Sequence, residues 1–217
     1  NISQGSSVPG STGSIQVRGI NSITGSTSPF IVLDGVPFTG TLNDINTRDI
    51  QSIQILKDAS AVAIYGTRGS NGVILIQTKR GTSGDPVINY STYGAIEEFA
   101  NVLEPLGPDA YVQKYADFFS QNNPGAEQDR ILENQSEIDN YNAGITTDWF
   151  DIATRSGVIQ EHNLSIRGGS EKTKYFVSGS YLDQKGVIEG YDYQKFTLRS
   201  NIDVQLTDYL KVGLNAF

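Results

Sequence analysis

The sequence predicts a small, mixed α+β domain followed by a series of long antiparallel strands. Residues 1–81 are rich in Gly and Ser and contain only short apolar runs, separated by loop-forming stretches. From residue 88 onward, apolar and polar residues alternate over longer runs. A Gly-Thr-Ser-Gly-Asp-Pro stretch at residues 81–86 lies between the two regions. We therefore predict that the chain changes architecture near residue 81.

The first region is predicted to contain four short strands and one short helix. Turn-forming residues such as Asp34 and Gly35 end the apolar runs. Asp58 is suited to cap a helix over residues 59–65, and Gly66 is suited to end it. The predicted strands lie at residues 15–18, 30–34, 50–56 and 72–78.

The second region is predicted to contain strands with one apolar and one polar face. In the strand 196–206, for example, Phe196 and Leu198 alternate with Thr197 and Arg199. Such strands are typical either of a solvated antiparallel sheet or of a membrane barrel with lipid outside and water inside. The predicted strands lie at residues 88–96, 163–167, 175–181, 196–206 and 210–217.

Long and short connections alternate between these strands. The connections at about residues 99–158 and 183–193 are long, whereas those at residues 168–173 and 207–209 are short. Outer-membrane barrels show this pattern, with long external loops and tight periplasmic turns. Aromatic and apolar residues at helical spacing over residues 108–121 predict an amphipathic helix in the first long connection.

Charge and composition exclude several classes of protein. Asp and Glu number 24 against 16 Lys and Arg, which gives a net charge of −8, and the basic residues form no cluster, so we expect no nucleic-acid partner. The chain has no Cys, which excludes disulfides and thiolate chemistry. No apolar run approaches the roughly 20 residues of a membrane-spanning helix. Because the chain contains no Met, we expect Asn1 not to be a translation start.

The sequence contains no recognisable catalytic or cofactor motif, so we expect no enzyme activity, no cofactor and no bound metal. The single histidine, His162, has no nucleophile-elbow motif to accompany it. The Gly-rich stretch at residues 66–72 lacks the Gly-Lys-Ser/Thr ending of a phosphate-binding loop. No acidic loop has the spacing of an EF-hand.

Four segments carry a family resemblance. Residues 15–22 read IQVRGINS, residues 29–37 read PFIVLDGVP, and residues 49–81 include the run AIYGTRGSNGVILIQTKRG. These segments resemble the plug domain of TonB-dependent receptors, and within that superfamily they are most similar to the SusC/RagA group of Bacteroidota. Residues 162–186, which include the run HNLSIRGGSEKTKYFVSGSYLDQKG, resemble the second and third barrel strands of the same group.

The resemblance implies a small α+β plug domain followed by antiparallel strands of an incomplete transmembrane β-barrel. Residues 1–81 would be an N-terminally truncated plug domain, and residues 82–217 would be the first four to five barrel strands, with a long external loop at about residues 99–158. The implied function is TonB-dependent import of a large nutrient, an oligosaccharide or a peptide, across the outer membrane of a Gram-negative bacterium. The implied partners are the TonB complex, reached through a segment absent here, a SusD-like surface lipoprotein, the substrate and outer-membrane lipid.

The resemblance also implies positions for two kinds of site residue. Plug loops at residues 5–11, 21–28 and 38–43 would face the substrate, although their side chains are also typical of ordinary turns. The candidate substrate-facing residues are Asn21, Ser22, Thr24, Ser26, Phe38, Thr39 and Thr41.

Three basic residues are candidates for ion pairs between plug and barrel: Arg18, Lys57 and Arg68. Arg18 stands where receptor plugs carry an arginine that pairs with glutamates of the barrel wall. A local surface pair of little energetic value is the alternative for Arg18. Lys57 stands where many receptors have a second arginine, and a lysine lacks the bidentate fork of the guanidinium group.

A soluble, secreted β-rich module that binds carbohydrate or protein is the alternative function. The same alternating strands would then meet through their apolar faces in a sandwich core. A membrane protein needs detergent to stay in solution, whereas a sandwich does not.

Overall fold

A computed structural model describes residues 2–3, 8–15, 17, 28–57, 63–102, 105–122 and 134–217 of the chain. It divides into two compact units, one formed by Asn1–Glu97 with Ser156–Phe217 and the other by Glu98–Arg155. The strands are β1 (Ile2–Ser3), β2 (Ser14–Ile15), β3 (Phe30–Leu33), β4 (Val36–Pro37), β5 (Ile50–Leu56), β6 (Val73–Thr78), β7 (Gly84–Glu97), β8 (Gly157–Gly169), β9 (Thr173–Lys185), β10 (Asp192–Thr207) and β11 (Leu210–Ala216).

A four-stranded sheet with the order β4-β3-β6-β5 forms the hydrophobic core of the first unit. β3 and β6 run parallel, and β5 pairs with β6 in the antiparallel direction. Central strand β6 carries the apolar run that includes Val73 and Ile76, and both side chains are buried. Leu33 and Ile76 pack on one side of the sheet, and Val32 packs with Val73 on the other. Burial on both faces explains why this strand is a continuous apolar run.

A two-residue turn ends β3 and positions a carboxylate. Asp34 has φ 50° and Gly35 has φ 87°, and Leu33 pairs with Val36 across the turn. Two central residues with positive φ are typical of a type I′ hairpin, for which Asp-Gly is a favoured sequence. The turn brings the Asp34 carboxylate back to β6, where Oδ1 accepts a hydrogen bond of 2.9 Å from the backbone N–H of Thr78.

The prediction for residues 50–56 is confirmed, and those for residues 30–34 and 72–78 are confirmed to within one residue. Of the predicted strand at residues 15–18, the structure describes β2, which pairs with β1, whereas residues 16 and 18 lie outside the described residues. The proposed helix cap Asp58 also lies outside them. Of the short helix predicted over residues 59–65, the structure describes residues 63–65, which begin the 3-10 segment Ala63–Gly69, and the break at Gly66, whose φ is 60°, lies where the helix was predicted to end.

β7 to β11 form a five-stranded antiparallel meander in which every strand pairs with its neighbour in sequence. The connection predicted at residues 183–193 is shorter than expected, because β9 continues to Lys185 and β10 begins at Asp192. Asp183 and Lys185 belong to the ladder, opposite Gln194 and Asp192, because backbone pairing does not require apolar side chains. The connection between β9 and β10 therefore spans residues 186–191, which is still longer than the connections at residues 170–172 and 208–209, so long and short connections alternate as predicted.

The two faces of the five-stranded sheet have opposite character. The inner face, which packs on the four-stranded sheet and its loops, buries the polar side chains Asn163, Ser178, Arg199 and Asn201. Phe176 is also buried on this face. The outer face consists mainly of exposed apolar side chains: Ile88, Tyr90, Ile96, Leu164, Phe196, Leu198, Leu206, Leu210, Val212 and Leu214.

The second unit lies in the connection between β7 and β8, and its described residues form three helices: α1 (Pro108–Asn122), α2 (Gln135–Asn142) and α3 (Trp149–Ala153). The helix predicted over residues 108–121 is confirmed as α1. Among the described residues, no helix has the length and apolar character needed to cross a bilayer.

Candidate functional site

A buried polar network joins the inner face of the five-stranded sheet to the four-stranded sheet. Its centre is Arg199 of β10, which is only 5% exposed. Arg199 Nη1 lies 3.2 Å from Oδ2 of Asp34, and Arg199 Nε lies 4.0 Å from Oδ2 of Asp49. The guanidinium group also lies over the ring of Phe217, 5.4 Å from its centroid. One cation on the long strands is therefore held between two carboxylates of the N-terminal region.

Thr78, at the end of β6, completes this network. Its hydroxyl donates to Oδ2 of Asp34 at 2.6 Å and accepts from Arg199 Nη1 at 3.2 Å and from Asn201 Nδ2 at 2.9 Å. One donor and two acceptor positions are all that a hydroxyl offers, so the group is fully used. Asn201 Nδ2 also donates to the backbone carbonyl of Lys79 at 2.8 Å. Burial of the Thr78 hydroxyl and of the Asn201 amide nitrogen is tolerated because both are hydrogen-bonded, whereas Asn201 Oδ1 is buried without a partner among the described residues.

Asp49 forms the second half of the network. Its Oδ2 accepts a hydrogen bond of 2.6 Å from Ser178 of β9, and the residue is 2% exposed. Burial raises the pKa of the Asp49 carboxyl above its ordinary value, although the Ser178 hydrogen bond and the charges of Arg199 and Lys79 lower it. The Ser178 hydrogen bond and the charge of Arg199 therefore favour the ionised form of Asp49 against the effect of its burial.

Three weaker contacts lie nearer the two ends of the five-stranded sheet. Arg48 Nε contacts Glu161 Oε1 at 3.2 Å near the start of β8. Lys195 Nζ donates to the backbone carbonyl of Asn43 at 2.7 Å near the start of β10. Arg80 Nη1 lies 3.1 Å from Asp203 Oδ1 near the opposite end of the sheet. The side chains of Arg48 and Arg80 are partly exposed, so these pairs are energetically weaker than the buried one.

A cavity of about 520 Å³ opens beside Glu161 and Lys195. Its lining also includes Ser11, Asn43 and Asn46 from the N-terminal region. The side-chain amide nitrogen of buried Asn46 has no hydrogen-bond partner among the described residues. The lining thus includes a carboxylate, an ammonium group and amide groups, which suits a ligand rich in hydroxyl or amide groups.

Few of the predicted substrate-facing residues can be placed. Phe38 is half-buried, packs on the apolar core and contacts the ring of Phe217 at 5.7 Å between centroids. Thr39 is exposed. The Thr41 hydroxyl donates to Asp44 Oδ2 at 2.9 Å, which is the role of an ordinary turn residue. Asn21, Ser22, Thr24 and Ser26 lie outside the described residues.

The predicted ion-pair residues are placed only in part. Arg18 lies outside the described residues, Lys57 is exposed directly after β5, and Arg68 is exposed in the 3-10 segment Ala63–Gly69. Their roles stay predictions.

The sequence analysis did not identify Arg199 as an ion-pair residue. Alternation along the strand 196–206 indicates that Arg199 shares a polar face with Asn201, and this pattern could have marked it as a candidate ion-pair residue. Its partner Asp34 is 165 positions away in sequence and was interpreted only as a turn residue.

His162 lies on the apolar outer face, where its Nδ1 is 2.7 Å from the hydroxyl of Tyr90. The histidine is therefore separate from the inner polar network. Within the described ranges, no three His, Cys, Asp or Glu side chains are grouped so that they could hold a metal ion.

Comparisons with known proteins point to one family. Residues 1–73 match the family model of the TonB-dependent Receptor Plug Domain. The chain is 38% identical, over 98% of its length, to TonB-dependent receptor P26 of Formosa agariphila, and 33% identical, over 96%, to TonB-dependent receptor SusC of Bacteroides thetaiotaomicron. It covers 21% and 20% of these proteins, so it spans about a fifth of the length of the curated relatives that it matches.

The fold is also found in a solved transporter. The RagAB peptide importer in its "closed-closed" state matches 99% of this chain with a TM-score of 0.83 and 26% sequence identity. The match covers 26% of the RagAB chain.

Proposed function

The chain belongs to the SusC/RagA group of TonB-dependent receptors, and from this we propose that it forms the plug and the first wall strands of an active importer. Receptors of this group are outer-membrane proteins of Gram-negative Bacteroidota. The imported molecule is proposed to be a large nutrient, an oligosaccharide or a peptide. SusC and the RagAB peptide importer, to which the chain is similar, support import across the outer membrane.

The inverted faces of the five-stranded sheet are the observation that carries this proposal. Phe196 and Leu198 are 76% and 71% exposed, whereas Arg199, on the inner face of the same strand β10, is buried. A water-soluble sheet would bury its apolar face and expose its polar face. Exposed apolar and buried polar residues are what a barrel wall needs, with lipid outside and a plug inside.

The length of the apolar band fits a bilayer. On the outer face of β10 the band begins at Phe196 and ends at Leu206, and the preceding outward residue, Gln194, is polar. The ten steps between these residues, at a rise of about 3.3 Å each in a strand tilted by about 45°, span about 23 Å of membrane thickness. The apolar band of outer-membrane barrels is about 25 Å tall. The alternative of a soluble sandwich offers no explanation for this agreement.

The cavity beside Glu161 and Lys195 is proposed to receive the substrate. It lies at the end of the five-stranded sheet from which the long connection after Glu97 departs, the end predicted to face outward. Its wall of amide and charged groups suits hydroxyl or peptide groups. We include Phe38, Thr39 and Thr41, and the loop at residues 21–28, among the candidate contacts.

Transport is proposed to proceed by rearrangement of the plug, without covalent chemistry. The contacts of Arg199 with Asp34 and Asp49 would hold the plug in place at rest, together with pairs made by Arg18, Lys57 and Arg68. Force from the TonB complex would disturb these contacts, and a SusD-like lipoprotein would cover the outer opening.

The proposal is tested on the full-length receptor that contains this chain. Deletion of the receptor gene should abolish growth on one class of glycan or peptide as the sole nutrient, and deletion of tonB should have the same effect. The purified receptor should need detergent to stay in solution. A receptor that stays monodisperse without detergent, or a deletion strain that grows on every glycan and peptide used by the wild type, would contradict the proposal.

A further inference from the structure

The helical unit at residues 98–155 contains a cavity of its own, with a volume of about 620 Å³. Residues of all three helices and of the segment before α3 line it, among them Tyr111 of α1, Asn140 of α2 and Trp149 of α3. A volume of this size falls in the range of small-molecule sites, roughly 300–1,000 Å³.

The walls of this cavity are fixed by specific contacts. The Tyr141 hydroxyl donates to Asp109 Oδ1 at 2.9 Å and so joins α2 to the start of α1. This hydrogen bond and the charge of Asp109 raise the pKa of Tyr141. The Asp148 carboxylate caps α3 by accepting from the backbone N–H groups of Phe150 and Asp151 at 2.9 and 3.0 Å. Trp149, at the first position of α3, is therefore held by a capped helix.

Two aromatic rings in this cavity present surface to solvent. Trp149, the only tryptophan of the chain, is 75% exposed. The ring of Tyr111 stacks on Tyr115 with centroids 6.1 Å apart, and its side chain is still more than half exposed. The neighbour of Trp149, Phe150, contacts Phe99 with ring centroids 5.3 Å apart and is only 37% exposed. Large exposed rings that line one cavity indicate a binding surface.

The polar groups beside these rings are short and mostly neutral. Glu137, Asn140 and Thr147 line the cavity and together offer carboxylate, amide and hydroxyl groups. No Lys, Arg or His is found among the described residues that line it. Amide and carboxylate oxygens accept hydrogen bonds from vicinal sugar hydroxyls, and aromatic faces pack on the C–H faces of pyranose rings.

We propose that this cavity of the helical unit is a binding site for a neutral oligosaccharide. The proposal rests on the importer function proposed above and assigns a glycan to that importer as its substrate. A peptide fits less well, because the lining offers no strand edge for its backbone and no cation for its terminal carboxylate. A uronic or sulfated glycan would meet Glu137 without a compensating positive charge.

The test uses the full-length receptor in detergent and isothermal titration with three linear neutral hexasaccharides, built from α-1,4-glucose, β-1,3-glucose and β-1,4-mannose. We expect at least one to bind. Trp149→Ala and Tyr111→Ala should each weaken its binding about tenfold or more, as expected when an aromatic anchor is removed. Trp149→Phe keeps a ring and should lose less than Trp149→Ala. Phe118→Ala is the matched control, because Phe118 is an exposed aromatic of the same unit that does not line the cavity.

Spectroscopy adds a readout that does not depend on affinity. The difference between the fluorescence spectra of wild type and Trp149→Phe isolates Trp149, and this difference should change when the bound hexasaccharide is added. Unchanged affinity in Trp149→Ala and Tyr111→Ala, or failure of the wild type to bind any of the three sugars, would overturn the inference. A receptor that imports peptides in a TonB-dependent manner but binds no neutral sugar would overturn the glycan site and leave the importer function intact.

Discussion

The two sheets of the first unit use alternation in opposite ways. In the four-stranded sheet, Leu33, Val73 and Ile76 are buried, and the carboxylates lie at strand ends and turns. In the five-stranded sheet the buried positions include Asn201 and Arg199, and the apolar residues are exposed. The same hydrophobic effect acts on both sheets, but the surroundings of their faces differ. The four-stranded sheet is surrounded by protein, whereas the five-stranded sheet contacts the plug on one face and lipid on the other.

This difference shows what a period of two can and cannot predict. Alternation identifies which side chains share a face, but the neighbour of that face decides which residues are buried. The inner face of the five-stranded sheet meets turns and strand ends, such as Asp34 and Thr78, which present carboxylates, hydroxyls and backbone carbonyls. Polar side chains on the long strands satisfy these groups, which an apolar face would leave without hydrogen bonds.

Arg199→Met is expected to have the largest effect on this interface. It leaves the carboxylates of Asp34 and Asp49 buried without their cation, a loss of about 3–5 kcal/mol when a buried pair is broken on one side. The measurement is native-state hydrogen exchange on the full-length receptor, followed at β6. Protection of the Thr78 backbone N–H, which donates to Asp34, should fall more than the protection of the backbone N–H groups in the five-stranded sheet.

The control for this experiment is the double variant Arg199→Met with Asp34→Asn. Neutralising one of the two carboxylates that the substitution leaves without a cation should restore part of the lost protection, since less uncompensated charge is then buried. Equal protection in wild type and Arg199→Met would show that the two sheets are held together by other contacts.

Leu198→Arg, one position away, tests the opposite face. An arginine on the lipid face of a barrel costs about 2–4 kcal/mol at the bilayer midplane and less near the interfaces. We expect the free energy of unfolding of the full-length receptor, refolded into phospholipid vesicles and unfolded with urea, to fall by that amount. Leu198→Ala is the matched control and should lose much less. If the arginine variant is as stable as the wild type in vesicles, the outer face does not contact lipid.

Sequence reasoning predicted most of the strands but not how the two sheets meet. The apolar runs at β3, β5 and β6 are local signals, so these strands were correctly predicted. The extension of β9 to Lys185 was missed because its last residues are polar and do not show the apolar alternation that marks the rest of the strand. The choice between sandwich and barrel stayed open on periodicity, since both arrangements place the same residues on each face.

The ion pairs show the same limit more sharply. Arg18, Lys57 and Arg68 were proposed from a family position, whereas the buried cation of the described structure, Arg199, comes from the long strands. Alternation predicts that Arg199 lies on a polar face. It does not predict the partner, Asp34, because the pair joins residues 165 positions apart and depends on how a hairpin turn meets a strand from the other sheet.

Removal of one methylene group compares the two sheets under matched chemistry. Ile76→Val in the four-stranded sheet should cost about 0.5–1.5 kcal/mol, because Ile76 is fully packed among protein atoms. Ile202→Val on the outer face of β10 should cost less, since lipid can fill the space that the missing methylene leaves. Hydrogen exchange of β6 measures the effect of Ile76→Val, and urea unfolding in vesicles measures the effect of Ile202→Val. Equal losses at both positions would mean that Ile202 is packed against protein in the whole receptor.

Arg80→Ala is expected to have the smallest effect and defines the lower limit of the comparison. Arg80 pairs with Asp203 across the same two sheets as Arg199, but its side chain is 48% exposed and that of Asp203 is 35% exposed. An ion pair in contact with water contributes about 0.2–1 kcal/mol, and salt screens it. Protection at β6 should therefore change little, and the change should shrink further at 0.5 M salt, whereas the effect of Arg199→Met should persist. A loss as large as that of Arg199→Met would mean that charge rather than burial determines how strongly each pair holds the sheets together.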